Sequence, residues 1–545
     1  MRKANKAGTP SKTKAPARKR KRQVNPFLDL LKNMDESQVA MLRQMVQSEL
    51  GLDSEMFAAE DPVDLFAEYL ESCARGDAAD EDRIDLSEEL VVELTAIKLD
   101  ANGGLREARE KMRAVHRLLD DAIERNLLAP TDIMMTGKIF ADAGWDVPDS
   151  LKKAMANALR APPPDTRASG GDIVSSLLEV ADQAGQNPFD VHEFVTSLLA
   201  GFPTEAIVML LPAMIAGKKA VINQAVAGFM LHPDAVLAQA AAEVLAASAK
   251  QSPAESSLIE RLVRMRPWLP QSRQGHLDAT IRAMRSNALP PVEAASPKVV
   301  KCYVTVCDGT GTRSLFVTQR VGARYQISSV MMKLAGVADA MVLPQLPKYE
   351  MDKIIGEMKA SVPAMETDLA GVTRMLELAI ADNFTHGTLP PFKLVEVAEQ
   401  LALGPVRPDH ASPMDIVSSL LAELPPERTN RAAVARANAD ILENEFRFQW
   451  FEAGEALERL LDPVKGAKPR VAELMKAYLP ERREFWARQC AISALAMRGA
   501  EKAPRSLSTQ LALVGRELAS DAPLDQIPLM KQVAEVSVRV FESRP

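Results

Sequence analysis

The sequence predicts a mostly α-helical protein: an irregular helical-repeat, α-solenoid-like body with a small α+β insertion and a disordered basic N-terminal tail. Three observations predict it. Helix start and stop signals recur along most of the chain. An aromatic share of only 5% with 25 methionines favours helix-packed interiors over β-sandwiches. One stretch near residue 300 switches to the two-residue period of a strand. At roughly 150 residues per domain, a length of 545 suggests about three or four domains, and 47% apolar residues suffice for sizeable cores. The longest apolar run, Ala206 to Gly217, is interrupted by Pro212 and stopped by Lys218 and Lys219, short of the roughly 18 residues of a membrane span. No apolar segment follows the N-terminal charges, as a secretory signal requires. Membrane, collagen-like, disulfide-rich and wholly disordered classes are excluded.

Residues 1–25 form the tail. Ten basic residues and no acid lie in 1–26, so against a net charge of −7 the rest of the chain sums to −17. Residues 51–94 alone carry fifteen acids against Arg75 and Arg83. A cationic arm on an acidic body can bind the phosphates of DNA, RNA or anionic lipid. Arg18, Lys19, Arg20, Lys21 and Arg22 are the densest part. A localisation signal, a solubilising tail or an arm folded on its own acidic segment are the other uses open to it.

Residues 26–160 read as an N-terminal helical domain. Ser37 can cap a helix striped by Val39, Leu42, Met45 and Val46. Asp61-Pro62 sets a cap before a proline at the first helical position. Residues 86–100 and 105–127 read as a helical hairpin turned at Asn102-Gly103-Gly104. The Pro- and Gly-rich stretch 161–171 is the clearest linker, and Leu289 to Pro297 is a second break.

Residues 172–288 are a helical region of short, alanine-rich segments. Leu210-Leu211-Pro212-Ala213-Met214-Ile215 precedes a helix over 220–231, and His232-Pro233-Asp234 opens another over 235–249. The run HPDAVLAQAAAEVLAAS resembles the second helix of a HEAT-type repeat, and LLPAMI looks like its first-helix segment, over roughly 205–249. Gln239 stands where that family has a basic residue. The resemblance implies stacked helix pairs presenting an extended surface to a macromolecular partner. An irregular helical domain, close-packed through small residues, fits the same pattern.

From 299 to 346 the pattern becomes a small α+β unit. Val300, Cys302, Val304 and Val306 alternate with polar positions as in a half-buried strand. Asp308-Gly309-Thr310-Gly311 is a turn, Leu315 to Val321 a second strand, and 323–327 a third. Ser328 is read as capping a short helix to Leu334, before a strand at 340–343. Residues 347–545 read as a C-terminal helical domain, in which Asp415 to Leu421 repeats Asp172 to Leu178 verbatim.

Several constellations bear on chemistry. Asp308-Gly-Thr-Gly-Thr-Arg-Ser314 is glycine-rich like a phosphate cradle, but a strand follows, so a hairpin turn is expected. His116, Asp120 and Glu124 share one helix face, but interleaved arginines make it a solvated ion-pair face. Phe446, Trp450, Ala453 and Leu457 fall at core spacing on one helical stripe. The scattered cysteines fit buried free thiols in a reducing compartment, and the six histidines lack zinc spacing. Arg261, Arg264, Arg266, Arg273, Arg282 and Arg285 stand against Asp278 alone, a local +5 that can track a phosphate backbone or pair internally.

The function expected is therefore non-enzymatic: a macromolecular binding or scaffold protein. Its helical body would bind a protein partner. Its tail, with Arg261, Arg264, Arg266 and Arg273, would bind nucleic acid. No metal or cofactor is called for, and the expected compartment is the cytoplasm, with nucleus or nucleoid as the alternative. The alternative function is an enzyme with a pocket where the α+β unit meets the helices, using Asp308, Arg313 and Asp339 at strand ends.

Overall fold

The structure is a computed structural model. It describes residues 61–75, 80–102, 106–160, 187–199, 202–217, 219–290, 297–362, 364–422, 424–443, 449–498 and 505–543. The chain divides into two units, Met1–Ala58 and Ala59–Pro545. The first lies outside the described residues, and with it the tail Arg18 to Arg22 and the helix expected after Ser37. So do the linker 161–171, the first copy of the repeated heptapeptide, Phe446 and Phe448. The second unit is mostly helical with one small antiparallel sheet.

Among the described residues five helices come first: α1 (Pro62–Arg75), α2 (Asp80–Asn102), α3 (Arg106–Glu124), α4 (Pro130–Asp142) and α5 (Asp149–Arg160). The expected cap is present, since Asp61 Oδ1 accepts the Val63 amide at 2.9 Å. Phe66, Leu90, Leu94, Leu119, Phe140 and Trp145 form their core. Trp145 Nε1 donates to Leu94 O at 2.8 Å, satisfying its one polar atom inside that core. His116 stacks against Phe140 and meets Trp145 edge-on, so this histidine packs into the bundle and leaves the ion-pair face to its neighbours.

The middle region carries α6 (Pro188–Leu198), α7 (Thr204–Ala216), α8 (Ala220–Ala227), α9 (Ala235–Ala249), α10 (Ser256–Met265) and α11 (Gln271–Arg285). Asp234 caps α9 by accepting the Val236 amide at 2.8 Å. Leu237, Ala238, Ala241, Ala242 and Leu245 bury one face of α9, where small side chains let neighbouring helices approach closely.

The sheet has five strands: β1 (Lys298–Thr305), β2 (Arg313–Val321), β3 (Arg324–Lys333), β4 (Gly336–Val342) and β5 (Ala364–Thr367), all antiparallel in the order β4-β3-β2-β1-β5. The helix expected from Ser328 to Leu334 is instead the second half of β3. There the segment pairs with β2 on one side and β4 on the other, and two ladders of backbone hydrogen bonds outweigh a single helix cap. The turn at Asp308 is the expected hairpin connection: Asp308 Oδ1 accepts from the Thr310 and Thr312 amides at 2.8 and 2.9 Å. Those amides are consumed locally, which removes them as phosphate ligands.

Helices α12 (Lys348–Ser361), α13 (Leu369–Thr385), α14 (Lys393–Gln400), α15 (Pro413–Leu421), α16 (Arg431–Asp440), α17 (Glu455–Leu461), α18 (Ala467–Glu473), α19 (Arg483–Arg498), α20 (Arg505–Leu518) and α21 (Pro528–Glu542) complete the unit. One apolar core runs from Phe189 through the middle helices to a sheet face (Val304, Leu315, Val330) and on to Met375 and Val395. The C-terminal helices share another, containing Trp450, Trp486 and Val514. Trp450 is in the core, but not along one helical stripe with Ala453 and Leu457. Residues 449–454 are irregular and α17 begins at Glu455. Trp450 Nε1 instead donates to Cys307 O at 2.7 Å, fixing this segment against the β1–β2 turn. All four cysteines are buried and none forms a disulfide. Among the described residues no helix is long and apolar enough to cross a membrane.

Candidate functional site

Where α6, the 228–233 segment, β4 and the start of α14 meet, they enclose a cleft of ≈ 350 Å³. Its walls are Phe229, Leu231, Leu389, Pro390, Pro391 and Phe392, and His192, Glu193, Thr196, His232 and Lys393 bring the polar atoms. Local sequence explains the placement. Asn187 caps α6, accepting the Phe189 amide at 3.0 Å, and Pro188 follows at the first helical position. This sets Asp190 and Glu193 three apart on one face, and Lys393 and Glu396 repeat that spacing on α14.

Lys393 is 7% exposed and is the hub. Its Nζ contacts Asp190 and lies 3.5 Å from both Glu193 Oε2 and Glu396 Oε2. Burial opposes the charge of Lys393, but Glu193, Asp190 and Glu396 together outweigh it and hold the ammonium above its ordinary range. Burial likewise pushes the Glu396 and Asp339 carboxyls up. Asn187 Nδ2 donates to Glu396 Oε1 at 2.8 Å. At the mouth, confinement by the cleft pushes the Glu193 carboxyl up to about 7, with Lys393 opposing and Asp339 and Asp190 assisting.

His192 is neutral: burial pushes it down to about 4. Its Nδ1 is 2.9 Å from Ala225 O, and a carbonyl only accepts, so Nδ1 carries the proton. Nε2 is then the acceptor, with Thr196 Oγ1 at 3.5 Å. The ring sits edge-on between Phe229 and Phe392, at 5.0 and 5.1 Å. Gly228 is required beneath it, because a Cβ there would lie 2.5 Å from His192 Cε1. Burial lowers His232 as well. The cleft therefore offers a neutral acceptor, an aromatic floor and an excess of carboxylates around one ammonium.

The sequence-nominated residues lie elsewhere. Arg261 grips Glu399 with two hydrogen bonds of 2.8 and 3.0 Å, donates to Gln224, and lies over the Phe189 ring. Arg264 donates to Leu403 O. Arg266 pairs with Asp278 through bonds of 2.6 and 2.9 Å. Arg273 donates to the carbonyls of His232 and Pro233 behind the cleft. Internal pairing thus occupies these arginines, with partners outside the acidic 51–94 segment, while Arg266, Arg282 and Arg285 keep exposed side chains.

Asp308, Arg313 and Asp339 do not converge. Register aligns Ser314, Met331 and Asp339 across the sheet, so the adjacent Arg313 projects to the opposite face. There Arg313, 2% exposed, lies 3.5 Å from Asp382, which Arg488 also contacts at 2.5 Å. Asp339 alone neighbours the cleft. Sequence reasoning missed Asn187, Asp190, His192, Glu193, Lys393 and Glu396. The Asn187-Pro188 cap was a readable signal for α6, but nothing local joins it to α14. Among the described residues no His, Cys, Asp and Glu group has the arrangement to hold a metal ion.

Residues 203–288 match the family described as Y4lR second domain, and residues 414–542 the one described as Y4lR C-terminal helical domain. An uncharacterised protein, y4lR of Sinorhizobium fredii (strain NBRC 101917 / NGR234), is 23% identical over 446 residues, covering 79% of this chain and 82% of that protein. No solved structure matches. The two matched stretches lie on either side of the sheet, and the cleft draws Phe229 and His232 from the first of them.

Proposed function

We propose that the chain is a non-enzymatic binding protein whose helical body engages a protein partner and whose basic N-terminal arm engages nucleic acid. The observation that carries this is charge segregation: +10 in the first 26 residues against −17 in the rest. Clustered cations without acids bind phosphate by releasing counterions, while a net-acidic body limits its own phosphate contact to exposed arginines. Apolar side chains left on the surface support the protein-binding half. Met209 on α7 and Val236 on α9 are 75% and 63% exposed, on two helices that pack against each other. Exposed Arg266, Arg282 and Arg285 are the body residues best placed to extend the phosphate contact.

The test is affinity capture with the full chain, with Met209→Glu/Val236→Glu, and with Arg18, Lys19, Arg20, Lys21 and Arg22 all changed to Gln, each with and without nuclease. The surface variant is expected to lose a protein that nuclease does not release, and the tail variant to lose nucleic acid alone. Loss of neither, or of both together in either variant, contradicts the reading.

A second reading, an enzyme with its pocket where the sheet meets the helices, is favoured by the Glu193 carboxyl beside neutral His192. Turnover there needs Glu193 to move a proton. Full complementation of a deletion strain by Glu193→Gln removes that reading.

A further inference from the structure

We propose that the cleft between α6, the 228–233 segment, β4 and α14 is a binding site for a small organic ammonium ion with an apolar or aromatic body. This goes beyond macromolecular binding and does not depend on it.

Shape gives the apolar half. Of the surfaces that enclose the ≈ 350 Å³, Phe229, Leu231, Leu389, Pro390, Pro391 and Phe392 offer no charge, which suits a ring or short aliphatic body. Phe229 and Phe392 are 2% and 4% exposed and locked around His192, so this floor is fixed before anything binds.

Charge gives the ammonium half. Asp190, Glu193 and Glu396 surround Lys393, and Asp339 faces Glu193 from β4. Behind them Lys333 faces Asp339, Arg273 faces His232, and Asp234 also faces His232. His192 and His232 are neutral, so five carboxylates oppose three fixed cations. Lys393 is shared: Glu396, 5% exposed behind the cleft, holds its Oε2 3.5 Å from the ammonium that Asp190 and Glu193 also draw on. A second cation relieves the charge deficit. Glu193 can receive it, because its side chain keeps 55% of its surface and holds Lys393 only at 3.5 Å. An anion fits poorly, since Lys393 is closed off by the acids it would have to displace.

The experiment uses the full-length protein at pH 8 with benzylammonium as probe, benzyl alcohol as its neutral counterpart and benzoate as the anion, read by ligand-observed NMR and calorimetry. Benzylammonium is expected to bind saturably and at least tenfold more tightly than either counterpart. Glu193→Gln should abolish that preference while the melting transition is kept. Ala338→Leu, which fills the cleft from an exposed strand position, should reduce binding of all three. Equal affinity for the three probes, absence of saturable benzylammonium binding, or an unchanged preference in Glu193→Gln overturns the proposal.

Discussion

Lys393 Nζ lies 3.5 Å from Glu193 Oε2, joining helix α6 of the middle region to a helix beyond the sheet. The same ammonium holds Asp190 and Glu396, so one lysine ties α6 to α14. Removing it leaves Glu396, 5% exposed, as an uncompensated buried charge. Breaking a buried pair this way costs about 3–5 kcal/mol, and the exposure of Asp190 and Glu193 lowers the expectation for Lys393→Met to about 2–3 kcal/mol. Urea unfolding of Lys393→Met and of Lys393→Met/Glu396→Gln checks it. The double variant should recover part of the loss, because it no longer buries an unpaired carboxylate.

The Glu193 carboxyl gives a pH signature. Its affinity for a proton is higher folded than unfolded, with values of about 7 against 4.5. Its stabilising contribution is therefore complete below pH 4.5 and is lost as pH rises to about 7. Glu193→Gln removes this dependence. The urea midpoint of the variant should rise relative to the wild type between pH 5 and 7.5, and a constant difference across that range contradicts the assignment.

Gly228 makes a steric prediction. A methyl group there would lie 2.5 Å from the His192 ring, which Phe229 and Phe392 hold on either side. Gly228→Ala should cost about 1–3 kcal/mol, the usual penalty for overpacking, in chemical or thermal unfolding. A variant as stable as the wild type would mean that the ring moves freely into the cleft.

The middle-region arginines divide by partner. Arg261 binds Glu399 in two places, and Arg264 caps Leu403 O, so changing both to Gln should destabilise the fold. Changing exposed Arg266, Arg282 and Arg285 to Gln should leave the unfolding midpoint nearly unchanged and reduce the salt dependence of DNA binding. Unfolding midpoints and filter binding on the same preparations separate the two sets.

Much of the fold was legible because helix ends are written locally. Asp61 and Asp234 each cap the helix that a sequence reading assigns to them. The period-two stretch likewise marks β1 and β2. What could not be read depends on partners remote in sequence. β5 is four residues with no alternation, made a strand by pairing with β1, and Ser328 is drawn into β3 by its neighbours on both sides. The cleft was invisible for the same reason: Asp190 and Glu193 look like an ordinary helix surface until α14 brings Lys393 to them. The arginines read as a stripe because spacing shows which residues share a helix and not that Glu399 or Leu403 O lies opposite.

The most direct measurement is DNA affinity against salt concentration for the full chain and for the variant with Arg18, Lys19, Arg20, Lys21 and Arg22 changed to Gln. For duplex DNA each phosphate contact contributes about 0.9 to the slope of log K against log salt, so the variant should lose up to about 4.5 from that slope together with most of its affinity. Equal slopes for the two proteins, or no salt-sensitive binding by the full chain, would contradict the account.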